Sequence, residues 1–198
     1  MAYYIRVLGT RDVPIGADEL TSAVSAVGDF KLKFEGSEGW SAITISHTDD
    51  EEICIVERNP VREHELGGED LNEFLQEAAV ARPRAAGEWL RTLLPRVQVI
   101  YAFQLLGGTD HANGWDGVHA VQTYIWNQVG GILQADREGF TNEDGDQITW
   151  DFSDRVAGLW NMASLKGDKW VAFRIKLSDK KQREQFLEGE VPEGVEVV

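Results

Sequence analysis

Cysteines, basic residues and long apolar runs are what this sequence has least of. Cys54 is its one cysteine among 198 residues, so neither an intrachain disulfide nor a four-cysteine zinc site can form. No segment approaches the roughly 18 consecutive apolar residues of a membrane-crossing helix. Arg6 interrupts the opening apolar stretch, which argues against a secretory leader. These absences lead to the expectation of a cytoplasmic protein with no membrane partner.

Lys and Arg number 19 against 34 Asp and Glu, a formal charge of -15. Binding nucleic acid requires clustered cations to neutralise phosphates, so no direct nucleic-acid contact is expected. Signatures of catalysis are missing as well. The chain has no Gly-x-Ser-x-Gly elbow, no phosphate loop ending in Lys-Ser or Lys-Thr, and no dinucleotide fingerprint. Cys54 lies in Ile53-Cys54-Ile55-Val56, where burial raises the pKa of a thiol and leaves it inert. No cofactor is expected, and the balance falls against an enzyme.

What is present is a globular composition, 42% hydrophobic and 27% charged, with seven Trp and eight Phe. Apolar bulk on this scale supports a packed core. Tyr3 to Leu8 reads as an opening strand, and Asp18 as the cap of a short helix with Leu20, Val24 and Val27 on one face. Strands follow at Phe30 to Phe34, Ser41 to Ser46 and Glu52 to Glu57, separated by the Gly36 to Gly39 stretch and the acidic run at Asp49, as in a meander.

Leu71, Phe74, Leu75 and Ala78 then recur at helical spacing, and Pro83 opens a second helix with Ala86, Trp89, Leu90, Leu93 and Leu94 inward. Val97 to Leu106 is the most apolar stretch and reads as a central strand. A long helix starts at Asn113 or Asp116, with Trp115, Val118, Val121, Ile125, Trp126 and Val129 on its inner face and Gly130-Gly131 at its end. Ile132 to Ala135 forms a short strand. Asp144-Gly145 signals a hairpin leading into a strand with Ile148, Trp150 and Phe152 on one face. A second hairpin turns at Gly167, and a helix from Asp179 to Leu187 completes the pattern.

Runs of strands separated by helices define an α+β class, a largely antiparallel sheet with four or five helices packed on it. Residues 1–187 read as a single domain, and 188–198 as a loosely held tail whose Val residues can pair at a sheet edge.

The acidity is regional. Asp49 to Glu77 holds eleven acids and two bases, and Gln134 to Asp154 holds seven acids and one base. Regional acidity is what a surface complementary to a basic partner requires, and it is also what a solvated face looks like. On the first reading the contacts are Asp49, Asp50, Glu51, Glu52, Asp144 and Asp146. The expected protein is then an acidic binding module for a basic protein. Its sharpest form is an immunity or antitoxin protein whose carboxylates stand where phosphates would sit.

A different class is a divalent-metal-dependent hydrolase drawing on the carboxylates of 136–154 with His111 or His119. Its candidate ligands are Asp116, His119, Asp136 and Glu138, although turn chemistry and the helix dipole explain the same acids without a metal. A structural oligomer subunit is a third class, and the oligomeric state is open. Among the tryptophans, Trp40 and Trp170 have no obvious core position. Trp170 shares a strand face with Arg174 and Lys176, either as a contact strip or as an edge residue shielding the core.

Overall fold

The computed structural model describes residues 3–36, 39–111 and 113–198. The fold is α+β, with strands paired antiparallel and helices packed against them. The chain groups into two compact units, one of Met1–Glu69 with Val97–Gly131 and one of Asp70–Arg96 with Ile132–Val198.

In the first unit five strands run in the order β2 (Phe30–Glu35), β3 (Ala42–His47), β4 (Glu52–Pro60), β5 (Val99–Leu105) and β1 (Tyr3–Gly9). Every neighbouring pair among them is antiparallel. The registers place Phe34, Ile43, Val56, Phe103 and Ile5 in one row across the sheet. Because strand side chains alternate faces, this row lies on one face of the sheet, with Lys31 and Lys33 on the opposite face of β2.

Helices α1 (Ala17–Ser25) and α4 (Gly114–Val129) pack together and against this sheet. Gly117 lets α4 approach closely, since a Cβ there would sit 3.1 Å from the Phe30 ring. Ile43, Ile45, Val56 and Phe103 are fully buried, each contributing about 1.5–3 kcal/mol of apolar transfer free energy.

Three details of this unit differ from the sequence expectation, the first being that α1 ends at Ser25 and leaves Val27 beyond it, 48% exposed. Gly16, rather than Asp18, is the N-cap of α1, and Asp18 lies in the first turn, where its charge faces the positive end of the helix dipole. Trp115 is 40% exposed rather than inward. Trp115 stands in the first turn of α4 at the edge of the stripe formed by Val118, Val121, Ile125 and Val129, and its ring lies against His119. Ser37 and Glu38 of the expected Gly36 to Gly39 turn lie outside the described residues.

The second unit holds most of α2 (Leu66–Val80), then α3 (Arg84–Leu93) and a 3-10 turn at Leu94–Arg96. Short strands β6 (Ile132–Ala135) and β7 (Gly139–Phe140) pair with each other. A three-stranded sheet follows, β10 (Glu196–Val197), β9 (Lys169–Lys176) and β8 (Leu159–Lys166) in that order. Helix α5 (Lys180–Leu187) is capped by the Asp179 side chain, which accepts from the N–H groups of Lys181 and Gln182.

The core here joins Phe152, Met162, Phe173, Ile175, Leu177 and Phe186. Val191 and Val195 of the tail pack against it, and β10 pairs at the edge of β9.

The expected strand through Ile148, Trp150 and Phe152 is not formed. Its backbone N–H groups go to unrelated acceptors: Ile148 to Phe140, Trp150 to Arg82 and Asp151 to Glu138. No single partner strand supplies a ladder, although Ile148 and Phe152 are buried as the alternation implied.

Candidate functional site

The acidic turn between β3 and β4 is built by its own backbone. Asp50 donates its N–H to the His47 carbonyl and takes φ +71°, a left-handed conformation that Asp tolerates better than most residues. Asp49 accepts from the N–H of Glu51 through its side chain at 3.4 Å. Two of the four acids have cationic or imidazole partners. Asp50, 81% exposed, lies 2.6 Å from Lys31 Nζ, and Glu51 lies 2.8 Å from His111 Nδ1. His111 in turn stacks on His47, whose Nε2 is 3.1 Å from the Gly108 carbonyl oxygen. Glu52 opens β4 opposite Ser46.

Asp144 and Asp146 belong to a second turn, in the other unit. There the Asn142 side-chain oxygen accepts from the N–H of Asp144 at 3.0 Å and of Asp146 at 2.8 Å. The same turn closes through Gly145 N–H to the Asn142 carbonyl. Desolvation raises the Asp146 carboxyl above the ordinary range, opposed by its hydrogen bond with Asn142 and reinforced by the charge of Asp144.

Asp116 and His119 lie on the first turns of α4, and Asp136 and Glu138 flank Arg137 between β6 and β7. The two pairs therefore belong to different units. Among the described residues no three or more His, Cys, Asp or Glu side chains are grouped as a metal ion would require.

The tryptophans left open by sequence have structural partners. Trp170 meets Trp89 edge to face at 5.2 Å, and Arg174 donates to Asn161 Oδ1, which ties down two of the three members of the supposed strip. Trp40 donates to the Ile15 carbonyl and lies against Tyr101.

A cavity in the second unit is not visible in the sequence. It encloses about 570 Å³ between the end of α2, the 149–154 segment and α5. Phe140, Trp150, Phe152 and Leu187 supply its apolar wall, while Asp151, Asp154 and Arg183 supply polar groups. Arg183 lies 5.7 Å from the Trp150 ring centroid and 3.1 Å from Asp154. Desolvation raises the Asp151 carboxyl above the usual range. Its lining comes from segments more than a hundred residues apart, and only the Trp150–Phe152 pair, read as core, hinted at it.

Comparison with known protein families, curated proteins and solved structures finds no match for this chain. Among the described residues no helix is long and apolar enough to cross a membrane.

Proposed function

We propose that the protein is a cytoplasmic, acidic protein-binding module of the immunity or antitoxin kind, which neutralises a basic protein partner. One observation carries the reading. The first unit holds sixteen Asp and Glu against six Lys and Arg, so net -10 of the chain's -15 resides there. A field of one sign on a compact body raises the encounter rate with an oppositely charged partner and screens out like-charged ones. The exposed turn at Asp49 to Glu52 places four carboxylates at one corner of that unit, and Asp144 and Asp146 add a second acidic turn in the other.

The test is affinity capture with the tagged protein from lysate of its own source, at about 0.05 M and about 0.3 M salt, where screening lengths differ more than twofold. Recovery of a stoichiometric basic protein at low salt and its loss at high salt is expected. Recovering only the bait at both salts overturns the reading. Reversing Asp49, Asp50, Glu51 and Glu52 to Lys should abolish capture while leaving the circular dichroism spectrum unchanged.

A second reading, hydrolysis using carboxylates of 136–154, is favoured by the placement of Asp151 and Asp154 on the cavity wall. A carboxyl with a raised pKa in a concave site suits general acid-base work. It predicts hydrolysis of an ester or phosphoester panel that Asp151→Asn abolishes. No turnover by the wild-type protein with or without added divalent ions overturns it.

A further inference from the structure

We propose that the groove between α1 and α4 is the seat of a cationic amphipathic helix presented by the basic partner. This rests on the acidic-module reading and names the place and form of the contact. The groove has a volume of about 640 Å³, with Ala23, Val27, Ala120 and Tyr124 among its lining residues. Ala23 and Ala120 leave space for another helix to approach closely. Val27 is 48% exposed, a large aliphatic side chain facing water beside that space. Trp115, also exposed, projects from the first turn of α4. Exposed apolar surface framed by polar groups is the usual mark of a docking site.

Charge selects the occupant. Helices α1 and α4 carry Asp18, Glu19 and Asp116 and not one Lys or Arg. Asp116 lines the groove itself, as do His119 and the neutral polar residues Thr123 and Asn127. An anionic lipid surface or an acidic segment would be repelled by the unit's net charge of -10, whereas Lys and Arg flanking an apolar stripe would find Asp116 in the groove lining and Asp18 and Glu19 in the first turn of α1. A helix laid into a two-helix groove reads it through apolar anchors about one turn apart, which Ala23, Val27, Ala120 and Tyr124 are placed to receive. The β3–β4 turn then contributes steering, and the groove contributes the anchor.

The experiment uses a fluorescent synthetic peptide of about five helical turns, Leu and Ala on one face and Lys on the other. Its binding to the full chain is measured by anisotropy at low salt. Two control peptides replace every Lys by Glu or place Pro in the middle to break the helix. The Lys peptide should bind, the Glu peptide should not, and the Pro peptide should bind at least about tenfold more weakly. Thr123→Arg, at an exposed groove position, should weaken the Lys peptide at least about tenfold. Asp168→Asn, in the exposed turn between β8 and β9, makes the same change in charge outside the groove and should keep affinity within about twofold.

Equal weakening by the two variants, or none by Thr123→Arg, overturns the groove assignment even if a basic partner is captured from lysate. Loss of peptide binding in Thr123→Arg with no basic partner ever captured leaves the groove standing and sinks the functional reading instead. Concentration-dependent self-association that Thr123→Arg removes would assign the groove to a second copy and overturn the proposal.

Discussion

Glu51 Oε2 lies 2.8 Å from His111 Nδ1, which ties the acidic turn between β3 and β4 to the segment that precedes α4. Both side chains are substantially exposed, 37% for Glu51 and 58% for His111. Solvent screens such a contact, and its worth is at most about 1 kcal/mol. His111→Ala should therefore lower Tm by no more than about 4 °C in thermal denaturation at neutral pH. A larger fall would show that the contact holds the turn in place.

Asn142 is fully buried and its side-chain oxygen satisfies two backbone N–H groups at once. Asn142→Ala removes both bonds and leaves a gap, so a loss of about 1–3 kcal/mol is expected in urea unfolding. An unchanged midpoint would mean that the turn closes through its backbone bonds alone.

Asp151 titrates above the ordinary carboxylate range because desolvation disfavours its charged form. A carboxyl raised on folding contributes stability that is fully present below its unfolded pKa and is lost as pH rises through the folded value. Asp151→Asn should thus be more stable than wild type at pH 7, by less than about 1 kcal/mol given its solvent contact. The difference should vanish in melts below about pH 3.5. A variant less stable at pH 7 would show that the charged form has a favourable partner.

Cys54 is fully buried in β4, and desolvation pushes its thiol up to about 12. A chromogenic disulfide reagent should leave the native protein unreacted and titrate one thiol in denaturant. Rapid reaction of native protein would place the thiol at the surface.

Much of the architecture was legible because it depends on local periodicity. The alternation in Phe30–Glu35, the paired runs around Gly167 and the helix from Asp179 to Leu187 each carry their own geometry in a few neighbouring residues. The expectation at Ile148, Trp150 and Phe152 was half right for the same reason. Alternation correctly marked which side chains are buried, but it does not say whether a partner strand is there to pair with. Trp115 was misplaced because an amphipathic stripe tolerates a shift at the first turn, where a helix has only begun to fix its phase.

The candidate sites divide along the same line. The acidic turns could be found from composition alone, since charge counts need no coordinates. That Asp50 and Glu51 are already engaged by Lys31 and His111 could not, because those partners come from other elements of the fold. Sequence by itself determined the fold class, most of the strands and helices, the burial of Cys54 and the regional acidity, all properties of neighbouring residues or simple sums. Only the tertiary structure decided where cavities open, which acids are paired and which apolar residues remain in water. Each of these depends on side chains brought together by packing from positions far apart in the chain.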